Sequence, residues 1–131
     1  MELKISTDAD STRIHTMLQQ YNMAYMKMCG TFCYHLEDNN VIFGGIVAEA
    51  VQDTVEVAYL FVASEHRGKG YGRRLLLHVE AEARRRQMKR ILLNTYSFQS
   101  PGFYRKMGYT ELFSIDPCFE DYVQYFFVKA L

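Results

Sequence analysis

Residues 55–72 read Val-Glu-Val-Ala-Tyr-Leu-Phe-Val-Ala-Ser-Glu-His-Arg-Gly-Lys-Gly-Tyr-Gly, and this stretch decides the fold. Its first eight residues form a mostly apolar, β-prone run that fits a strand buried on both faces. Its last six are glycine-rich. Beyond them Tyr71, Leu75, Leu76, Val79 and Ala83 fall on one face of a helix running to about Gln87. Glu80/Arg84 and Glu82/Arg86 make i,i+4 pairs on its other face. Residues 91–94 then read as another buried strand. Strand, helix and strand in that order require a parallel pair joined by a right-handed crossover.

Toward the N-terminus, residues 2–6 read as a short strand, not an apolar signal region. Thr7 and Asp10 stand at capping-box spacing, and Ile14, Met17, Leu18 and Tyr21 recur at helical spacing through about residue 24. Residues 31–36 and 41–50 read as strands around the turn signal Glu37-Asp38-Asn39-Asn40, with Gly44-Gly45 marking a bulge in the second. Toward the C-terminus, Ser100 as N-cap, Pro101 at N1 and Gly108 at C′ bracket a two-turn helix. Residues 109–113 and 122–129 close the chain as strands around a loop at 113–121. No repeat, low-complexity tract or linker interrupts it. Residues 1–131 are therefore expected to form one α/β (α+β) domain, with a mixed central sheet, antiparallel at its N-terminal side and flanked by helices.

Composition narrows the function. Apolar residues make up 49% of the chain, enough for a packed core. Lys and Arg number 15, as do Asp and Glu, so the formal charge is zero, which argues against a nucleic-acid binder. Basic residues cluster locally around 67–74 and 84–90, where an anionic ligand can be held. No apolar run is long enough to span a bilayer. Cys29, Cys33 and Cys118 are odd in number and lack framework spacing, which favours reduced, buried thiols in a cytoplasmic protein. Cys29-x-x-x-Cys33-x-His35 lacks the second ligand pair that a structural zinc site needs, so no metal is expected.

A strand that enters a glycine-rich loop and then a helix is a recurrent phosphate cradle. The first amides of the helix have no acceptor within it, and the helix dipole favours an anion there. Arg67 and Lys69 add charge beside the same point. The P-loop string G-x-x-x-x-G-K-[ST] is absent, and a G-x-G-x-x-G fingerprint starting at Gly68 would need glycine where Arg73 stands. The plain alternative is a turn that needs glycine for geometry alone.

Arg67-Gly68-Lys69-Gly70-Tyr71-Gly72 resembles the acetyl-CoA loop of the GNAT N-acetyltransferase superfamily, R/Q-x-x-G-x-G/A. The likeness extends upstream to Tyr59-Leu60-Phe61-Val62 and downstream through the amphipathic helix to Ile91-Leu92-Leu93-Asn94. It ends at Phe103-Tyr104-Arg105-Lys106-Met107-Gly108-Tyr109, similar to the family's F-Y-x-K-x-G-F/Y signature. It thus covers residues 55–109, and Asn94-Thr95-Tyr96-Ser97-Phe98-Gln99 resembles small bacterial members.

The resemblance implies that acetyl-CoA lies between two splayed parallel strands ending near Val62 and Asn94. The pyrophosphate would meet the backbone of Arg67, Gly68, Lys69, Gly70, Tyr71 and Gly72. The pantetheine arm would meet the backbone of Phe61 and Val62 and the Asn94 amide. Tyr104 would protonate the leaving thiolate, a small uphill step for a phenol near pKa 10 facing a thiol near 8.5. Alternatively, Tyr104 only packs the short helix. Glu56 is the one acid in an apolar strand, eleven residues before Arg67, where the histone-acetylating branch carries its base. Burial should raise its pKa, although it could equally face the surface, and many small members use water chains instead.

The expected activity is N-acetyl transfer to a primary amine of a small-molecule or peptide acceptor. The acceptor side would be built from the first helix, the turn at 38–40 and the acidic loop carrying Asp116, Glu120 and Asp121. Relatives commonly form homodimers through their final strands. A non-catalytic acyl-CoA-binding or sensor module is the alternative, and another acyl-CoA donor stays open. Of the four histidines only His66 adjoins the loop, where a phosphate contact is open to it.

Overall fold

The structure, a computed structural model, describes residues 1–131. Helix α1 (Asp8–Asn22) precedes three strands, β1 (Met28–Asp38), β2 (Val41–Val51) and β3 (Thr54–Val62). A 3-10 turn (Ser64–His66) leads through the glycine loop into α2 (Tyr71–Arg85) and β4 (Arg90–Tyr96). Helix α3 (Pro101–Lys106) and the hairpin of β5 (Thr110–Phe119) and β6 (Tyr122–Ala130) complete the chain. One six-stranded sheet runs in the order β1-β2-β3-β4-β6-β5. Every neighbour pair is antiparallel except β3 and β4, the parallel pair that the crossover required.

Local chemistry explains most boundaries. Thr7 and Asp10 form the expected capping box: the Asp10 amide donates to Thr7 Oγ1 at 3.2 Å and the Thr7 amide to Asp10 Oδ2 at 2.9 Å. These bonds hold the Asp10 carboxyl below the usual carboxylate range. Asn39 (φ 48°) and Asn40 (φ 63°) supply the two left-handed residues of a tight β1–β2 hairpin. The β2 bulge falls at Phe43, beside Gly44, where the register slips between Leu36↔Gly44 and Glu37↔Ile42.

Several expectations are corrected. Residues 2–6 form no strand, because α1 carries them away from any neighbour that could complete a ladder. Strand β3 is not buried on both faces: Val55 and Val57 point into the core, while Glu56, Tyr59 and Phe61 are exposed on the other side. The stretch 113–121 is mostly strand, since β5 continues to Phe119 before a two-residue turn. Ser100 makes no side-chain cap, although Pro101 does open α3. None of the cysteines is buried, and Cys33 is exposed.

The core lies between the sheet and α2, with α3 on the same side. Phe32, Ile46, Ala48, Val55, Ile91 and Phe127 meet Leu75, Leu76, Val79 and Ala83, and Tyr104 joins them from α3. Glu80, expected on the exposed face with Arg84, is instead fully buried. Its Oε1 lies 2.5 Å from Lys129 Nζ on β6, an ion pair rather than a well-directed hydrogen bond. Lys129 Nζ also donates to the Met107 carbonyl at 2.8 Å, the end of α3. Glu82 keeps its expected partner Arg86 (2.8 Å) and adds Arg85 (2.6 Å), and these bonds hold its carboxyl down to about 2.

Removing one member of a buried pair strands the other charge. Lys129→Met should therefore destabilise the fold by about 3–5 kcal/mol in urea denaturation, whereas the double change Glu80→Leu/Lys129→Met should recover most of that loss. A double variant no more stable than the single one would show that the pair is not what matters here.

Candidate active site

Strands β3 and β4 are hydrogen-bonded at only three positions, Thr54↔Arg90, Val55↔Ile91 and Glu56↔Leu92. Beyond them the strands part. The cause is visible in the β2–β3 register, which slips between Val47↔Tyr59 and Ala48↔Val57, leaving Ala58 as an extra residue. Such a bulge bends the strand that carries it. Strand β4 cannot follow, because β6 holds it from Arg90 to Tyr96. The facing edges of β3 past Val57 and β4 past Leu92 are consequently unpaired.

The end of β3 delivers the chain to the glycine loop at this gap. Arg67 Nε donates to the Val62 carbonyl at 2.7 Å and its guanidinium lies 5.6 Å from the Phe61 ring centroid, so Arg67 clasps the loop to the strand. His66 stacks on Phe43 at 4.2 Å, and Tyr71 meets Phe43 edge-on at 5.0 Å. His66 therefore anchors the loop from behind. Gly68 (φ 76°) and Gly70 (φ 83°) are left-handed. A Cβ on either would meet nothing within 4 Å, so glycine is needed for the backbone path and not for room.

This conformation leaves donors free. The amides of Gly68, Lys69 and Gly70 donate to no protein carbonyl, and the first α2 hydrogen bond runs from Arg74 to Gly70. The amides of Tyr71, Gly72 and Arg73 precede the first closed turn and lack acceptors. Free amides, the positive end of a 15-residue helix and exposed Lys69, Arg73 and Arg74 converge on open space, which fits a pyrophosphate.

Gly72 links the loop to α3: a Cβ there would meet Phe103 Cζ at 3.7 Å, ordinary contact. The next residue, Tyr104, is 7% exposed among Phe103, Tyr109 and Phe127. Burial pushes its phenol up to about 12. Tyr109, buried beside it, is pushed further in the same direction by burial and then by the Glu80 carboxylate.

Glu56 departs from the expectation. It occupies the last paired position before the gap, but it is exposed, because strand alternation turns it away from Val55 and Val57. The burial on which the argument for a tuned carboxyl rested is absent. Asn94 shares that open face, and its Oδ1 accepts from Gln124 Nε2 at 3.1 Å. Its amide nitrogen keeps its donors.

Sequence reasoning missed three contributors. Ala58 makes the bulge, and no residue type announces it. Gln99 closes the end of β4, accepting from the Tyr96 amide (2.8 Å) and Thr95 Oγ1 (3.1 Å). Glu49 lies directly across from Glu56, and both line a cleft of about 330 Å³ with Met26, Val51 and Leu92. An alternation count along 41–51 would have placed Glu49 on that face. No three His, Cys, Asp or Glu side chains gather as metal ligands, and no helix is long and apolar enough to cross a membrane.

The model of the acetyltransferase (GNAT) family matches residues 5–109. The chain belongs to that family. A Bacillus cereus acetyltransferase crystal structure, 28% identical, superposes with a TM-score of 0.85 over 100% of this chain and 98% of its own. The blasticidin-S acetyltransferase of Streptomyces morookaense is 34% identical over 77 residues, 58% of this chain. The chain spans less than three fifths of the length of the curated relatives it matches (58% and 57%). A Bacillus anthracis structure assigned as a streptothricin acetyltransferase, in complex with acetyl coenzyme A, shares the fold. Its TM-score is 0.68 at 21% identity, over 78% of this chain and 63% of that one. GNAT acetyltransferases use acetyl-CoA, and the gap and free amides of this chain fit that co-substrate.

In this GNAT loop, Gly70→Val should act through the backbone. Valine at φ 83° is strained by about 1–3 kcal/mol. The loop should relax away from its amide-out path and weaken CoA binding about ten- to hundredfold. Titration calorimetry on a variant with unchanged circular dichroism checks this, and undiminished affinity would remove the loop from the binding site.

Proposed function

We propose that this chain is an acetyl-CoA-dependent N-acetyltransferase acting on a primary amine of a small-molecule or peptide acceptor. The observation that carries the reading is the parting of β3 and β4 after Glu56↔Leu92, with the open N-terminus of α2 at its mouth. Its two sides differ in chemistry. Tyr104 approaches from the α2 side, and Glu56 with Asn94 stands on the other.

In this reading the amide-out loop 67–72 holds the pyrophosphate, while the backbone of Phe61 and Val62 and the Asn94 amide line the gap. The Val62 carbonyl is already taken by Arg67, so the free groups there are those facing β4. Thioester aminolysis forms a C–N bond and breaks a C–S bond, and the nitrogen ends with fewer protons and the sulfur with one more. A lysine-like amine near pKa 10.4 must first lose a proton. In this reading Glu56, exposed and paired across the strands with Glu49, takes it. Two carboxylates side by side repel each other, and a cationic amine relieves that repulsion.

Tyr104 receives the departing sulfur. With its phenol near 12, transfer of a whole proton to a thiolate whose acid lies near 8.5 is uphill by roughly 5 kcal/mol, more than the small step expected for an unburied tyrosine. Its hydroxyl is therefore assigned as a hydrogen-bond donor that follows charge onto sulfur, with the final proton arriving from the nitrogen. The acceptors named for relatives, blasticidin S and streptothricin, make amine-bearing antibiotics a sensible first panel, beside polyamines and peptide N-termini.

Incubation with acetyl-CoA and that panel, following free thiol, should show release that depends on the amine. CoA binding with no release for any amine would favour the sensor alternative. Tyr104→Phe keeps the packed ring and removes the donor. It should lower turnover on the order of a hundredfold while CoA affinity holds, and lost affinity at unchanged maximal rate would make the hydroxyl a binding contact instead. Glu56→Gln should cost most near neutral pH, with activity returning as pH climbs toward the amine's own pKa. A pH profile parallel to that of the unaltered protein would hand the base role to water.

A further inference from the structure

Two apolar surfaces of this chain lack partners, and each has what the other needs. The first is the N-terminal arm. Of residues 1–28 only Asn22 is even partly covered. Along one face of α1, Ile14, Met17, Leu18 and Tyr21 stay between 55% and 67% exposed, and Leu3 and Ile5 before it are fully so. A lone amphipathic helix of 15 residues gains little from its own hydrogen bonds and depends on burying such a face.

The second surface is the sheet face opposite α2. Helices α2 and α3 cover one side, and no helix of the chain lies on the other. Val47, Tyr59 and Phe61 are 39%, 70% and 59% exposed there. Beside Val47 and Phe61 runs a groove of about 350 Å³ lined also by Cys33, Ile42 and Phe43. At the same end β1 has a free edge, since β1 is terminal in the sheet. Exposed apolar side chains gathered on one sheet face are what a covering partner buries.

The arm cannot supply that layer to its own body in this conformation. Its root is pinned to the β2–β3 turn: Gln52 donates its amide to the Lys27 carbonyl at 2.8 Å and Nε2 to the Tyr25 carbonyl at 3.1 Å. From that root α1 projects about 22 Å outward. We infer that two copies of this chain exchange arms, the α1 of each lying across the uncovered sheet face of the other. Residues 2–6, alternating polar and apolar, then reach the free edge of the partner's β1. The arrangement is isologous, since arm and receiving face occur once in each copy. A standard interface takes roughly 20–30 residues a side, and the uncovered arm, residues 1–28, is of that size. The open face also carries Glu56, so the arm of one copy walls the acceptor side of the other. The interface is not the one at the final strands.

Sedimentation velocity at micromolar concentration should give a particle of twice the 15.3 kDa chain mass. Ile14→Asp/Leu18→Asp on the arm and, separately, Val47→Lys on the receiving face should each return it to a monomer with cooperative thermal unfolding intact. Both surfaces stay exposed within one copy, so the same outcome from both is a signature of their meeting between copies. A monomer for the unaltered chain would overturn the inference. So would a dimer that survives either variant, including one held through β5 and β6.

Discussion

Strand β3 is pulled in two directions, and the site follows from that constraint. Three ladder positions bind it to β4, and the extra residue Ala58 then bends it along β2. Strand β4 is held straight by seven register pairs to β6. In a parallel sheet a gap of this kind would ordinarily close, because each unpaired amide or carbonyl out of water costs free energy. Here the edges past Val57 and Leu92 stay unpaired along the gap. The parting also fixes where the crossover begins, so the loop after Val62 and the first turn of α2 stand at the mouth of the gap.

A few side chains convert that geometry into a rigid cradle. Arg67 ties the loop to the Val62 carbonyl, and Phe43, His66 and Tyr71 stack behind it. Phe103 rests on Gly72, so α3 is indexed to the loop. The far end of α3 is held by Lys129, which reaches the Met107 carbonyl and the buried Glu80 together. Helix α3 is thus fixed at both ends, and Tyr104 between them has little freedom. A six-residue helix would not hold a side chain in place unaided.

Periodicity and turn chemistry made much of this legible. The Thr7–Asp10 box, the paired asparagines of the first hairpin and the glycine loop all depend on residues within a few positions of one another, and the crossover follows from the order of three such local elements. What stayed hidden depends on distant neighbours. Glu80 reads as a solvated helix residue until Lys129, 49 residues later, is brought beneath it. Glu56 sits in a run so apolar that it reads as buried, yet the run contains a bulge and a second face with no helix on it. The alternation of Val55, Glu56 and Val57 already held that answer, and total hydrophobicity obscured it. Residues 2–6 have a strand pattern and no strand, because pattern supplies a propensity and only a neighbour supplies the ladder.

The two faces of the gap suit the two proton problems of the proposed reaction. In that proposal the ammonium's proton needs an acceptor that opens to water, and the exposed Glu56 beside Glu49 is the group the open face offers. Stabilising a leaving thiolate needs the reverse, a donor that does not ionise first. In the same proposal Tyr104 meets the need through burial: the low-polarity pocket of Phe103, Tyr109 and Phe127 penalises the phenolate, so the hydroxyl keeps its hydrogen well above the pH at which an exposed tyrosine ionises. The same desolvation strengthens a hydrogen bond to developing charge, since less water competes for it. Moving the tyrosine to the surface would ease full proton transfer and weaken that bond. The exposed carboxylates and the buried phenol thus lie on opposite faces of the sheet, as the proposed reaction requires.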